Sequence, residues 1–387
     1  MPSAEESARG VFESDGRGGG WVRSPSQNYR SAPNDPVIPA HVVRALSLRG
    51  GEDLELVIPR ASNGRRPGLS VEAFVSINGL TADAATERAT FDSLTAIDPN
   101  RQVRFATPGG PMSMRVVDLM TPIGFGQRGL IVAPPRTGKT VLLQQMAAGL
   151  AANHPDVYMM VLLIDERPEE VTEMRRTVRG EVVSSSNDHD IASHVRIARL
   201  MINKAKRMVE CRRDVFVLLD SLTRLGRAFN AAIRGAGRTL SGGLDIRALT
   251  EPKAMFGAAR NAEEGGSLTI IASALIDTGS RMDEVIFNEF KGTGNMEIVL
   301  SRELANRRVW PAIDLNQSGT RKEERILTPA LLEASHKMRR ALISRGEVRA
   351  METLVEQLAT FPNNEEFARQ ASGVTMRPAS LPGRDED

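Results

Sequence analysis

Residues 128–141 read Arg-Gly-Leu-Ile-Val-Ala-Pro-Pro-Arg-Thr-Gly-Lys-Thr-Val, and this stretch decides the fold. Its apolar run at 130–132 predicts a buried strand, and the pattern over 141–150 predicts an amphipathic helix. Between them lies a tight turn of Pro135, Arg136, Thr137 and Gly138, followed by Lys139, Thr140 and Val141. Strand, small-residue turn, Gly-Lys-Thr, helix is the order that a phosphate-binding loop requires. Such a turn directs backbone N–H groups and the positive end of a helix at an anion. The Lys139 ammonium would then reach the β- and γ-phosphates of a nucleotide, and the Thr140 hydroxyl would ligate Mg2+. One position departs from the usual pattern, because Ala133 stands where the first Gly is expected. Ala preserves the turn provided that its φ is negative. The alternative is a chance Gly-Lys-Thr at a helix start, which the flanking strand and helix patterns argue against.

Composition narrows the class. With 387 residues, 41% hydrophobic and 25% charged, the chain is long enough for two or three domains with a sizeable core. The formal net charge is only +2, so nucleic-acid contacts must come from local patches rather than a basic tail. Aromatic residues make up 4%, too few for a long base-stacking platform. A single cysteine, Cys211, rules out an internal disulfide and fits a reducing cytoplasm. It falls between a helical run and a strand, the setting of a buried structural thiol. No apolar run approaches the ~18 residues of a membrane span, and the polar, acidic residues 1–10 do not resemble a signal peptide. The expected location is cytoplasmic, without membrane contact.

Upstream of the loop, residues 1–20 are polar and end in Gly16-Arg17-Gly18-Gly19-Gly20. Short apolar runs at 21–22, 37–38, 54–58 and 71–77 alternate with Gly, Pro and Asn clusters at strand-and-turn spacing. They predict a small β-barrel with a short helix at 42–48. A barrel displaying Trp21, Arg23, Tyr29 and Arg30 suits single-stranded nucleic acid through stacking and charge. Trp21 and Tyr29 equally suit an ordinary barrel core. Downstream, strand-like runs at 129–133, 157–164, 215–220, 268–273 and 296–300 alternate with helical patterns, which predicts an α/β domain with a mainly parallel sheet. Residues 328–370 read as helical. The expected division is a barrel domain at 1–78, a connector at 79–112, an α/β domain at 113–371 and a flexible tail at 372–387.

Two strand ends carry acids. The run 157–164 is followed by Asp165-Glu166-Arg167-Pro168-Glu169-Glu170. Ligands of doubly wound sheets bind beyond the carboxyl ends of the strands, so Glu166 is placed to polarise a water against a γ-phosphate. The alternative is a solvated helix start, where acids are also favoured. The run 215–220 ends in Asp220-Ser221. A carboxylate there is the usual second partner of Mg2+ beside a phosphate loop, or else the N-cap of the next helix. Three Gly-containing loops follow, at 235–243, 277–282 and 291–295. Each can follow a phosphodiester backbone through N–H groups and charge, or be plain surface loop. Arg321 sits in a polar turn at 318–323, where an exposed guanidinium could serve a neighbouring subunit's nucleotide as an arginine finger or be an ordinary surface arginine.

Residues 115–369, about two-thirds of the chain, closely resemble the transcription termination factor Rho family. The resemblance is carried by Pro122-Ile123-Gly124, the phosphate loop, and the runs 165–174, 220–224, 257–261, 263–267, 277–280, 290–296 and 318–324. It implies a RecA-like P-loop NTPase core, an ATPase that forms a homohexameric ring, binds single-stranded RNA and translocates along it to dissociate transcription complexes. ATP and Mg2+ are the implied cofactors, and RNA polymerase or its elongation factors are candidate partners. Residue by residue, Lys139 and Thr140 match the family's phosphate-loop Lys and Thr, and Glu166 its catalytic glutamate. Asp220 matches its Mg2+-supporting aspartate and Arg321 its arginine finger. Trp310 falls where the family stacks an aromatic on adenine; on residues alone it is also suited to core packing before Pro311. Arg238 and Thr239 in the 235–243 loop, and Gly279 and Arg281 in the next, match the two loops that grip RNA in the ring's channel.

The N-terminal region resembles the family's OB fold less closely. The Phe-Gly-Phe-type run that stacks bases there is Gly19-Gly20-Trp21-Val22-Arg23 here. Trp21 keeps one aromatic, Gly19 replaces the other, Val37 replaces a third, and the basic Arg23 is kept. The leading expectation is an ATP-driven RNA translocase and helicase that terminates transcription. A rotary-synthase catalytic subunit, with a similar core, is one rival. An RNA-binding regulatory protein whose ATPase mainly controls ring assembly is the other.

Overall fold

The computed structural model describes residues 5–59, 68–233 and 243–372. The chain opens with β1 (Glu5–Ser14), β2 (Gly20–Arg23), β3 (Val37–Ile38), α1 (Ala40–Ala45), β4 (Asp53–Pro59) and β5 (Phe74–Ile77). These strands make an antiparallel sheet in the order β3-β2-β1-β4-β5, the half-barrel of an OB-like domain. Leu54, Leu56 and Ile58 alternate inward along β4 and meet Phe12, Val22, Ile38 and Val42 in one core. The strand β1 lies inside the stretch that reads as polar. Its two large apolar residues are adjacent, and strand geometry sends them to opposite faces. Phe12 enters the barrel core, while Val11 joins the core of the α/β half. Burial on both sides therefore leaves no alternating pattern to read. The helix expected at 42–48 runs from Ala40 to Ala45, and residues 71–73 form a 3-10 turn ahead of β5.

The expected connector contains α2 (Ala82–Thr86), β6 (Ala96–Ile97) and β7 (Gln102–Val103). It is bonded firmly to the rest of the protein. Phe91 and Leu94 are buried in the α/β core, and the Phe91 N–H donates to the buried Glu210 carboxylate at 2.7 Å. Arg88 bridges Glu210 and Glu52, at 3.0 Å from each, so one guanidinium ties connector, barrel and core together.

The α/β half comprises α3 (Met112–Met120), β8 (Ile123–Gly124), β9 (Arg128–Ala133), α4 (Lys139–Asn153), β10 (Tyr158–Ile164), α5 (Pro168–Thr177), β11 (Glu181–Ser185), α6 (Ile191–Glu210), β12 (Asp214–Asp220) and α7 (Leu222–Ala232). It continues with α8 (Thr250–Gly257), β13 (Arg260–Ala262), β14 (Ser267–Leu275), α9 (Arg281–Lys291), β15 (Met296–Val299), α10 (Arg302–Asn306), β16 (Gly319–Thr320), α11 (Pro329–Leu342), α12 (Glu347–Ala359) and α13 (Asn364–Ser372). The main sheet runs β11-β10-β12-β14-β9-β15-β16, with β13 added beside β14 and β6 beside β13. The strands from β11 to β15 are parallel, and β16 closes the far edge antiparallel to β15.

Successive residues of the parallel strands enter two different cores, as the two-residue period demands. Ile131, Val161, Leu163, Leu218 and Ile271 face the layer that contains α3, α4 and the C-terminal helices. Leu130, Val132, Leu162, Val217 and Ile270 face the layer that contains α6 and α7. The mainly parallel α/β architecture expected from the alternating runs is the one observed, in keeping with the RecA-like core that the resemblance implies. The edge strand β11 is an addition, hidden in the sequence because Ser184 and Ser185 interrupt its apolar character. Cys211 caps the end of α6, half-buried, and burial raises its thiol pKa. No described helix is long and apolar enough to cross a membrane.

Candidate active site

The phosphate-loop segment joins β9 to α4 at the carboxyl end of the sheet. Ala133 is still in the extended strand, paired with Leu275, so the missing Gly costs the turn nothing. The turn comes later, where Arg136 and Gly138 have φ values of 67° and 85°. Gly138 caps α4 with its left-handed backbone, a conformation that favours glycine. The Thr137 hydroxyl donates to the Pro134 carbonyl at 2.7 Å and braces the loop across its base. Lys139 is then the first residue of the helix, with Thr140 and Val141 completing its first turn.

Gly138 has a second reason to lack a side chain. A Cβ there would lie 2.8 Å from the Trp310 ring. The indole is 45% exposed, so it covers the phosphate loop rather than filling the core. Beside it is a cavity of about 340 Å³ whose walls include Met112, Val141, Leu300, Trp310 and Pro311. A flat, mostly apolar slot next to a phosphate loop suits a planar heteroaromatic ring.

Lys139 reaches across to two neighbouring strand ends. Its Nζ lies 2.5 Å from Asp220 Oδ1 and 3.5 Å from Glu166 Oε1. Glu166 is 3% exposed and precedes α5, which excludes the solvated helix start. Asp220 does not cap α7, because the Ser221 hydroxyl accepts from the Arg224 N–H in that role. Asp220 Oδ1 also accepts from Ser273 Oγ at 2.6 Å, while its Oδ2 has no hydrogen bond among the described residues. Burial, then the nearby Asp220 charge, raises the Glu166 carboxyl to a pKa of about 7. For Lys139, burial opposes the charge, but Asp220 and Glu166 outweigh it and the net shift is upward.

The donor set fits a hard cation in one way only. Among the described residues no cluster of three His, Cys, Asp or Glu side chains could hold a metal unaided. The half-exposed Thr140 hydroxyl and the open Asp220 oxygen offer two hard ligands, leaving the rest to water and a nucleotide's own oxygens.

Sequence reasoning missed Arg224. Its Nε is 3.1 Å from Glu166 Oε1, and its Nη1 is 2.5 Å from the Asp165 carbonyl. Its position is the signal: four residues beyond a strand-end aspartate, one helical turn brings a side chain back over the strand ends. Also missed was the Arg227–Asp283 pair at 2.6 Å, which joins α7 to the first turn of α9 beside Arg281.

The remaining expected residues are dispersed. Gly279, with φ 76°, and Arg281 are exposed between β14 and α9. Arg238 and Thr239 lie outside the described residues. Arg321 follows β16, and its N–H donates to the Asn295 carbonyl at 2.9 Å. Thr320 pairs with Met296, which pairs with Gly129 at the start of β9. Arg321 is therefore at the amino end of the sheet, and the six residues of β9 at ~3.3 Å each separate it by roughly 20 Å from its own phosphate loop.

On the barrel, Trp21 is half-buried and pairs with the exposed Val37 across β2 and β3. Arg23 corrects an expectation. It is buried, held by Glu13, Asp35 and Ser31, so it does not present a free charge to a phosphate. Instead its guanidinium lies 4.8 Å from the Trp21 ring centre. Tyr29 is core: it is 1% exposed and bonded to Glu181 and Lys204 of the α/β half. Arg30 is exposed and contacts His189.

The family model of the ATP synthase alpha/beta family, nucleotide-binding domain, matches residues 113–320. Transcription termination factor Rho of Cereibacter sphaeroides is 51% identical over 361 residues, 92% of this chain and 85% of that protein. Transcription termination factor Rho of Escherichia coli (strain K12) is 49% identical over 364 residues, 92% of this chain and 86% of that protein. A prototypical ATPase from the type III secretion system of pathogenic bacteria superposes with a TM-score of 0.60 at 20% identity, covering 81% of this chain and 94% of that chain. An ATP synthase subunit, NeqB, from Nanoarcheaum equitans gives 0.55 at 17% identity, covering 71% and 72%. At such identities the two structures speak to the fold alone.

Proposed function

The chain belongs to the transcription termination factor Rho family, and on that premise we propose how its residues divide the work of hydrolysis and RNA handling. The protein is an ATP-dependent terminator of transcription, an ATPase of the helicase class. In our reading, ATP enters with its adenine in the slot beside Trp310 and its phosphates on the loop from Pro135 to Val141. Lys139 then exchanges its contacts with Asp220 and Glu166 for the β- and γ-phosphates. That exchange frees the Glu166 carboxylate to take a proton from water as the water attacks the γ-phosphorus. The bond to the β–γ bridging oxygen breaks, and ADP and phosphate leave. Mg2+, held by Thr140 and Asp220, would supply charge neutralisation on the phosphates. Arg321 would come from the neighbouring subunit of a homohexameric ring.

The observation that carries this reading is the Lys139 ammonium held between the Asp220 and Glu166 carboxylates beside an open heteroaromatic slot. For RNA, Arg238, Thr239, Gly279 and Arg281 would line the ring's channel, and Trp21 would stack a base at the barrel with Arg23 behind its ring. RNA polymerase or its elongation factors would be partners, in the cytoplasm.

The test is ATP turnover with and without single-stranded polypyrimidine RNA, together with unwinding of an RNA–DNA hybrid. RNA-stimulated turnover coupled to unwinding is the expected result. Stimulation without unwinding would favour a regulatory protein whose ATPase controls ring assembly.

A further inference from the structure

At the amino end of the sheet three guanidiniums gather without a carboxylate partner. Arg128, Arg260 and Arg321 form no ion pair among the described residues, and the nearby Asp98 is occupied by Lys322 at 2.8 Å and Arg325 at 3.0 Å. Arg128 is fixed in place. Its Nε donates to the Thr293 carbonyl and its Nη1 to the Ala259 carbonyl, both at 3.1 Å. Arg260 is drawn aside, with its guanidinium 4.3 Å from the Phe91 ring centre. Arg321 is exposed and has only its backbone anchored.

Asn295 aligns Arg128 and Arg321. Its Oδ1 accepts from the Arg128 N–H and its N–H donates to the Arg128 carbonyl, both at 2.9 Å. Its own carbonyl accepts from the Arg321 N–H at 2.9 Å. The two arginines thus flank one residue across the sheet, two strand spacings or ~10 Å apart at the backbone. Like charges that close repel where solvent screening is incomplete. The mutual influence is felt at Arg128, whose pKa is lowered first by burial and then by Arg260 and Arg321.

We propose that Arg128 is a positioning residue for the arginine finger. Its anchored charge, together with the occupied Asp98, keeps the Arg321 side chain unpaired and turned toward the subunit boundary, ready for the neighbour's phosphates. The inference rests on the reading of Arg321 as a finger acting in trans. Without Arg128, the finger is free to fold back over the sheet end, and fewer interfaces are poised for transfer at any moment.

The test uses full-chain rings of R128Q, R128K, R321A and the double variant R128Q/R321A. The glutamine amide can still donate to a carbonyl but carries no charge, whereas lysine keeps the charge. R128Q is expected to assemble, to lower kcat about tenfold and to leave KM for ATP within about twofold. R128K should restore most of kcat, and R128Q should cost nothing further in the R321A background. The inference is overturned if R128Q rings do not assemble, if R128Q turns over normally while R321A is slow, or if R128K is as slow as R128Q. It is equally overturned if R128Q slows R321A further. Normal turnover by R321A removes the finger reading, and this inference with it.

Discussion

The two ends of the central sheet solve the problem of charge in opposite ways. At the carboxyl end, Glu166 and Asp220 are almost fully buried and neutralised from within, by Lys139 and Arg224. At the amino end, Arg128, Arg260 and Arg321 have no ion-pair partner among the described residues. Buried charges are tolerated only when paired, so the carboxyl end is stable alone; in our proposal a nucleotide opens it by competing for Lys139. At the amino end the exposed Arg321 is open to an anion from outside. In our proposal each end is half of a phosphoryl-transfer site, and roughly 20 Å of sheet keeps the halves of one subunit apart.

The largest expected effect breaks the carboxyl half. Lys139→Ala removes the cation proposed to hold the phosphates and takes from Glu166 and Asp220 the ammonium between them. Turnover should fall by at least about 10²–10³-fold, measured as steady-state phosphate release. Glu166→Gln keeps the shape and removes the base. Nucleotide binding should persist, while kcat drops about 10²-fold or more; normal turnover by this variant would remove Glu166 from the mechanism.

A smaller effect follows from pH. With its pKa near 7 in the free protein, Glu166 is increasingly protonated below pH 7 and unable to accept a proton. The kcat/KM for ATP should fall by about tenfold per unit as pH drops below 7, and Glu166→Gln should flatten that limb. Stability should change the other way. Because folding raises this carboxyl above its ordinary 4.5, its contribution favours the fold below that value and is lost as pH rises through 7. The smallest effect concerns the slot. Trp310→Ala should raise KM for ATP about three- to tenfold with little change in kcat, as expected for loss of one stacking face.

The same contrast explains what was legible in the sequence. The segment from β9 through α4 was readable because an apolar strand, a Gly-Lys-Thr turn and a helix are all local signals. Glu166 and Asp220 were readable because each follows a run of buried strand residues. Arg321 stood out only by resemblance, since nothing local distinguishes it from other surface arginines. The strand β1 escaped because Val11 and Phe12 serve two different cores, which erases the alternation that marks a one-sided strand. Arg23 misled for a related reason. Its partners Glu13 and Asp35 are ten and twelve residues away, and only the folding of β1 against β2 brings Glu13 to it. The N-cap role went to Ser221 rather than Asp220, a choice between adjacent residues that depends on backbone angles invisible in sequence.

In our proposal the two half-sites of one hydrolytic centre come from different subunits. The most direct test mixes two inactive full-length chains, one carrying Lys139→Ala and the other Arg321→Ala, and measures ATP turnover in the reassembled rings across a range of ratios. At one class of mixed interface an intact phosphate loop meets an intact finger. Turnover should therefore rise above that of either parent and peak at intermediate ratios. Mixed rings that assemble yet stay at the parental background at every ratio would contradict the split site.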